Sequence, residues 1–222
     1  MDLSTVTATH YMFESCGYLT EAPFYDLSKV TYPRGMFKGC SGLKTIPEYD
    51  LSNGTDFSYM FNGCASLEVV PHIDTRRSTN FEGMFNGCIA LKEIGGLDLR
   101  NSTQLNAMFY GCVALEKLNV KNINYSLTLG SVEAYSNLLE TESLINLVYE
   151  LHNSTSTKTV TMGAVNLAKL SNIYVKTIDI TDEMRAEDEF VDLKIPFEVC
   201  ESTDVGAMLI TDYALTKKWR LQ

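Results

Sequence analysis

Six cysteines and three histidines are the residues of this 222-residue chain with most scope for chemistry. Five of the cysteines, Cys16, Cys40, Cys64, Cys88 and Cys112, recur every 24 residues. Thiols in register could form a disulfide array or a metal array. The spacing favours neither. A disulfide needs converging Cβ vectors across a Cα separation of ~4.4–6.8 Å. Equivalent residues on strands stacked ~4.8 Å apart point the same way instead. Zinc sites use close pairs such as C-x-x-C, and the sequence contains none. These cysteines therefore read as reduced, buried thiols that act as small core residues.

A second ladder, Asp2, Asp26, Asp50, Asp74 and Asp98, has the same period and could hold calcium. Carboxylates stacked ~5 Å apart repel unless each is satisfied by its own turn. The Asp-x-Ser pattern suits turn capping, in which the carboxylate accepts hydrogen bonds from N–H groups just downstream. The histidines His10, His72 and His152 form no cluster in sequence, and His10 and His72 fall at different places in the repeat. Cys200 lies outside the ladder and could act as a nucleophile beside a histidine, but it reads more simply as a packed residue of an apolar strand. Asp182, Glu183, Glu187, Asp188 and Glu189 could bind a cation, or form the solvated face of a helix. H-E-x-x-H, G-x-S-x-G, phosphate-loop and dinucleotide fingerprints are all absent from the sequence. The expectation is no catalytic residues, no metal and no cofactor.

The elements that must position these ladders follow from the period. Met-Phe recurs at 12–13, 36–37, 60–61, 84–85 and 108–109. Leu19, Leu43, Leu67, Leu91 and Leu115 keep the register, as do Ala22, Ile46, Val70, Ile94 and Leu118, and Thr7, Thr31, Thr55, Thr79 and Thr103. The unit reads M-F-x-G-C-x-x-L-x-x-[IV]-P-x-x-D-x-x-x-x-T-x-x-x-x. A fixed period in the 20–29 range predicts a leucine-rich-repeat solenoid. We expect five right-handed 24-residue coils with one strand per coil in a parallel sheet. Leu43 and Ile46 turn inward, and Pro47 ends the strand. A short helix or 3₁₀ turn is expected before each Met-Phe, closed by a left-handed Gly39, Gly63, Gly87 or Gly111, with Ser15 in the first copy. One such unit cannot bury its apolar side alone, but stacked copies can.

After Leu118 the motif decays, with Asn122 in place of Asp and Leu127 in place of Thr. The solenoid is assigned to 1–130 and an α+β capping domain to 131–222. The cap is expected to hold helices from Glu142, Asn166 and Gly206 and strands at Thr159–Met162, Phe190–Val199 and Arg220–Gln222. The chain shows no polar cap at its start, so the first coil is expected to dock on another chain through its N-terminal edge.

Composition narrows the partners. Net charge is −10, with 13 acidic and 10 basic side chains in 1–130 against 15 and 8 in 131–222. Nucleic acid is not expected, because phosphate binding needs a basic patch. No run approaches the roughly 20 apolar residues of a membrane helix, and the start of the chain lacks the basic and apolar regions of a signal peptide. The expectation is assembly in a cytoplasm. Asn53, Asn101, Asn124 and Asn153 match the glycosylation pattern, which has meaning only in a secreted chain.

The M-F-x-G-C-x-x-L units of residues 2–130 resemble the BspA-type leucine-rich repeats. Ser143-Leu-Ile-Asn-Leu, Thr159-Val-Thr-Met-Gly, Asn166-Leu-Ala-Lys-Leu and Lys217-Lys-Trp219 are similar to the cap that follows such repeats in proteins of gut bacteria and their phages, with 173–205 as an insertion. The resemblance implies adhesion or receptor display: either a phage virion component such as a tail or head fibre, located in the virion, or a bacterial cell-surface adhesin. Partners are then other virion subunits or a host surface protein or glycan. The motif residues are core, so the candidate binding surface is taken from the variable strand positions. These are Thr20, Lys44, Glu68, Lys92 and Glu116, and Glu21, Thr45, Val69, Glu93 and Lys117. A rival surface is the edge at His10, Arg34, Ser58, Glu82 and Asn106.

Overall fold

The computed structural model describes residues 2–123, 139–140 and 142–143, and the backbone of the strands at 127–128, 158–161, 174–177, 197–200, 208–209 and 219–221. Within 2–123 the 24-residue units lie on one another in parallel register. Bridges join Ala8 to Tyr32, Glu21 to Thr45, Asp56 to Asn80 and Asn80 to Gln104. The bridges widen into a parallel sheet of β1 (Val69–Val70), β2 (Glu93–Asp98) and β3 (Lys117–Lys121), which pairs Val69 with Glu93 and Glu93 with Lys117. A bulge between Ile94 and Leu97 shifts the register there.

The segment around Met-Phe is not a helix. It is a run of turns in which alternate N–H groups bond locally and to the next repeat. Met60, Asn62 and Cys64 donate to Phe57, Tyr59 and Phe61, three residues back. Tyr59, Phe61 and Gly63 donate forward to Glu82, Met84 and Asn86, 23 residues on. The same pattern runs through the neighbouring repeats. It requires two left-handed residues per repeat. One is the expected Gly39, Gly63, Gly87 and Gly111, with Ser15 at φ 61° in the first copy. The other, unforeseen, is Tyr11, Gly35, Tyr59, Gly83 and Ala107, with φ between 52° and 59°. A helix would spend all these N–H groups internally. This backbone spends half of them on holding the stack together.

Each ladder has its own chemistry in the core. Met36, Phe37, Cys40 and Leu43 and their equivalents in the next three repeats are almost fully buried. Phe13, Phe37, Phe61, Phe85 and Phe109 stack face to face, with ring centroids 5.4–5.8 Å apart and planes within 4–7°. Such aromatic pairs add roughly 0.5–1.5 kcal/mol each beyond their buried area. Phe57 and Phe81 start a second stack at 6.1 Å. The aspartates cap as expected: Asp2, Asp26, Asp50, Asp74 and Asp98 accept from the N–H two residues on, at 2.9–3.2 Å. Asn122 continues that ladder as a donor, giving its amide to Asp98 at 3.0 Å. The threonines bind both ways, Thr31 and Thr55 giving N–H and hydroxyl to the carbonyl 24 residues earlier.

The register continues past the expected boundary at 130. Leu139 falls 24 residues after Leu115 and is buried, and Glu140 donates its N–H to Glu116 at 2.8 Å. After β3, β4 (Leu127–Thr128), β5 (Lys158–Thr161) and β9 (Trp219–Leu221) form a parallel sheet, and β6 (Tyr174–Thr177) pairs antiparallel with both β7 (Phe197–Cys200) and β8 (Met208–Leu209). The strand expected at Thr159–Met162 corresponds to β5, and the end of the Phe190–Val199 run to β7. The helix expected from Gly206 begins instead with β8, whose alternation is too short to distinguish from helical spacing in sequence. The 173–205 segment supplies β6 and β7. Residues 142–143 are helical, and the rest of the helix expected there, like the one from Asn166, lies outside the described residues.

Candidate binding surface

The strand positions chosen from sequence form one ladder on the outside of the sheet. Lys44, Glu68, Lys92 and Glu116 each donate a backbone N–H to the equivalent residue one repeat earlier, at 2.8–3.1 Å, starting from Thr20. That ladder fixes the spacing of their side chains. Thr20, Lys44, Glu68 and Lys92 are exposed, and Glu116 is half-buried. In the adjacent row Glu21, Thr45, Val69 and Lys117 are exposed and Glu93 is half-buried. Opposite charges meet across repeats: Lys92 Nζ lies 3.0 Å from Glu68, and Lys117 Nζ 3.9 Å from Glu93. The hydrogen bond between Lys92 and Glu68 raises the lysine pKa and lowers the carboxylate pKa. Exposed pairs of this kind are screened by solvent and contribute little to stability, so their charge pattern is free to serve recognition.

The face ends in a cleft of about 430 Å³ that sequence reasoning missed. Glu93, Lys117 and Asn119 line one side, and Glu140, Glu142 and Ser143 the other. The Ser143 hydroxyl accepts the Leu118 N–H at 3.2 Å and holds the two sides together. The signal that could have found this wall is Leu139, which keeps the leucine period after the rest of the motif has decayed.

The rival edge is an interlocked network. The Arg34 guanidinium lies 5.4 Å from the Tyr59 ring centroid, donates to the Tyr11 hydroxyl at 3.1 Å, and approaches Asp56 at 3.6 Å. The Tyr11 hydrogen bond raises the Arg34 pKa. Lys38 lies over the Tyr11 ring and pairs with Glu14 at 2.8 Å. Glu82 hydrogen-bonds Tyr59 and raises its pKa. His10 packs on Tyr32, and Ser58 is buried. Arg34, Tyr11, Tyr59, Lys38, Glu14 and Glu82 thus partner one another along this edge, while the buried Ser58 hydroxyl has no hydrogen-bond partner among the described residues.

The cysteine ladder is neither a disulfide nor a metal array among the described residues. Cys40, Cys64, Cys88 and Cys112 each donate S–H to the phenylalanine carbonyl 27 residues earlier, at 2.9–3.2 Å. Burial pushes the thiol pKa up to about 11 at Cys40 and about 12 at Cys112, and likewise raises it well above the ordinary thiol value at Cys64 and Cys88. Thiolate is the reactive form, so these residues are chemically quiet. Cys16 departs from the expectation: it is exposed. The side chain of Cys200 lies outside the described residues. No helix among the described residues is long and apolar enough to cross a membrane.

No curated protein and no solved structure matches the chain. A family profile described as Mycoplasma protein of unknown function, DUF285, matches residues 4–124, more than half of the sequence and nearly all of the repeat region. That match is consistent with the BspA-type character of the M-F-x-G-C-x-x-L units. The chain belongs to the DUF285 family.

Proposed function

We propose that the chain is a non-enzymatic binding scaffold. In this reading it is a right-handed leucine-rich-repeat solenoid of five coils with an α+β cap, and it recognises its partner through the strand face. The observation that carries the proposal is the contrast within one ladder. The backbone of Thr20, Lys44, Glu68, Lys92 and Glu116 is locked by repeat-to-repeat hydrogen bonds, while the side chains vary in charge above a core of repeated Met, Phe, Cys and Leu. A rigid frame with variable exterior residues suits recognition of a protein or glycan. We place the protein in a phage virion, as a tail or head fibre, receptor-binding or decoration subunit. The alternative role, a bacterial cell-surface adhesin, gains from the family description, which names a cellular organism.

Charge reversal at Lys44 and Lys92 tests the binding face. The double variant should keep its melting temperature within a few degrees and lose attachment of the particle or protein to host cells. Unchanged attachment would refute the strand-face assignment.

A further inference from the structure

The charges of the strand face follow an order that becomes its own complement when turned end for end. Lys44, Glu68, Lys92 and Glu116 each donate an N–H to the residue 24 positions before, and Glu140 continues the row by donating to Glu116. Their side chains therefore run plus, minus, plus, minus at a step of ~4.8 Å, the spacing of adjacent strands. The row is also flat. Neighbouring rings of the phenylalanine stack are inclined by only 4–7°, against roughly 20–25° between adjacent strands of an ordinary twisted sheet. A flat row can meet a flat partner along its whole length.

Consider a two-fold axis lying in the face, parallel to the strands and midway between Glu68 and Lys92. Rotation about it sets Lys44 opposite Glu116 of a second copy and Glu68 opposite Lys92 of the second copy, and each contact occurs twice. In the adjacent row Thr45 meets Lys117 and Val69 meets Glu93, so no like charges face each other there. Other registers fail. An axis through Glu68 sets Lys44 against Lys92, and one through Lys92 sets Glu68 against Glu116. An axis between Lys92 and Glu116 sets Glu68 against Glu140, and one between Lys44 and Glu68 leaves Lys92 opposite Thr20. The Lys92–Glu68 pair, 3.0 Å apart with both side chains half exposed, lies beside the midway axis. Two copies of that pair alternate in sign around the axis, so contacts between copies add to it and do not compete with it. The exposed side chain of Val69 supplies apolar surface next to this cluster.

We infer that the strand face is a docking surface for a second copy of this chain, in an end-for-end two-fold dimer that sets Lys44 against Glu116 and Glu68 against Lys92. The inference rests on the strand-face reading and names its partner, so that host attachment depends on the assembled pair. Charge complementarity carries it: the order of signs selects one direction and one register, and charges that only keep a surface soluble need select neither. Charges across an interface fix register and exclude wrong arrangements more than they add affinity, so the dimer is sensitive to salt.

The test follows the full chain by sedimentation velocity over a range of protein and salt concentrations. The unaltered chain should form a dimer that dissociates on dilution and as sodium chloride is raised. Lys44→Glu and Glu116→Lys, each alone, create two like-charge contacts across the axis and should weaken the dimer roughly tenfold or more. An equimolar mixture of these two variants should dimerise about as well as the unaltered chain, because every reversed charge then meets an opposite one. The double variant Lys44→Glu with Glu116→Lys should do the same. An unaltered chain that stays monomeric at every concentration, a dimer indifferent to both single reversals, or a mixture no tighter than its components would overturn the inference. The strand-face reading fails separately, by host attachment that survives charge reversal at Lys44 and Lys92.

Discussion

The Tyr11 ring lies against Gly35 of the next repeat, in the space that a side chain at 35 would occupy. Tyr59 and Gly83 repeat the relationship one step further on. Both members of each pair sit at the left-handed position before Met-Phe, so tyrosine and glycine alternate along it: the glycine makes room, and the tyrosine fills it. Gly35→Ala adds a Cβ that meets the ring and holds alanine in a conformation costing roughly 1–2 kcal/mol. Unfolding in urea should show a loss of about 2 kcal/mol or more. Ala107 has φ 52° and is exposed. There the relief of strain outweighs the added freedom of glycine in the unfolded chain, and Ala107→Gly should stabilise by about 0.5 kcal/mol. A destabilising Ala107→Gly would count against the left-handed assignment.

The phenylalanine stack predicts a gradient along the chain. Phe61 is fully buried between Phe37 and Phe85, and Phe61→Ala should cost about 3–5 kcal/mol. Phe13 is partly exposed and stacks on Phe37 alone in this ladder, so Phe13→Ala should cost less than half as much. Equal losses at the two positions, measured by denaturant titration, would mean that the first repeat is as well covered as the third.

The thiol ladder predicts an order of reactivity. Under native conditions at pH 8 a maleimide should modify Cys16 first and Cys40 more slowly, and leave Cys64, Cys88 and Cys112 intact until the protein unfolds. Peptide mapping against time reads the order directly. Cys64→Ala removes the S–H···O bond to Phe37, whose carbonyl keeps the Cys40 N–H. The loss should be about 1–2 kcal/mol from the bond and the small cavity together.

Acid should weaken the stack through the capping carboxylates of Asp26 and Asp74. Hydrogen bonds from Arg76 lower the Asp74 pKa below its ordinary value of 3.8, and those from Ser28 lower that of Asp26. A carboxyl with a depressed folded pKa holds its proton less tightly than in the unfolded chain. Its stabilisation is therefore complete above the ordinary pKa and disappears as pH falls through the folded value. Melting temperatures should drop steeply below about pH 4. Asp74→Asn should flatten part of that drop while lowering stability at neutral pH. An unchanged acid limb in the variant would remove Asp74 from the explanation.

The period, the ladders and the inward leucines were readable from sequence because each repeat solves the same packing problem with the same side chains. The aspartate turns were readable for the same reason, their hydrogen bonds being local. The backbone before Met-Phe was not. Tyr11, Tyr59 and Ala107 carry no composition signal for a left-handed residue, and the hydrogen bonds that Tyr11 and Tyr59 donate join residues 23 apart. The strand face could be picked out as a row of variable residues, but the Lys92–Glu68 pairing becomes visible only once the repeats are stacked. The cleft wall at Glu140 and Ser143 was hidden because the motif fades before the backbone register does. At β8 a two-residue strand left too short a pattern to oppose a helical reading.

The location of the chain tests the proposed role most directly. Quantitative mass spectrometry can compare purified particles with washed cell envelopes from one lysed culture that makes the protein. The account predicts the chain in the particle fraction, in a fixed ratio to the other structural subunits, and predicts that particles carrying Lys44→Glu and Lys92→Glu no longer adsorb to host cells. Recovery of the chain in the envelope fraction, with none in the particles, would contradict the virion reading and leave the cell-surface adhesin in its place.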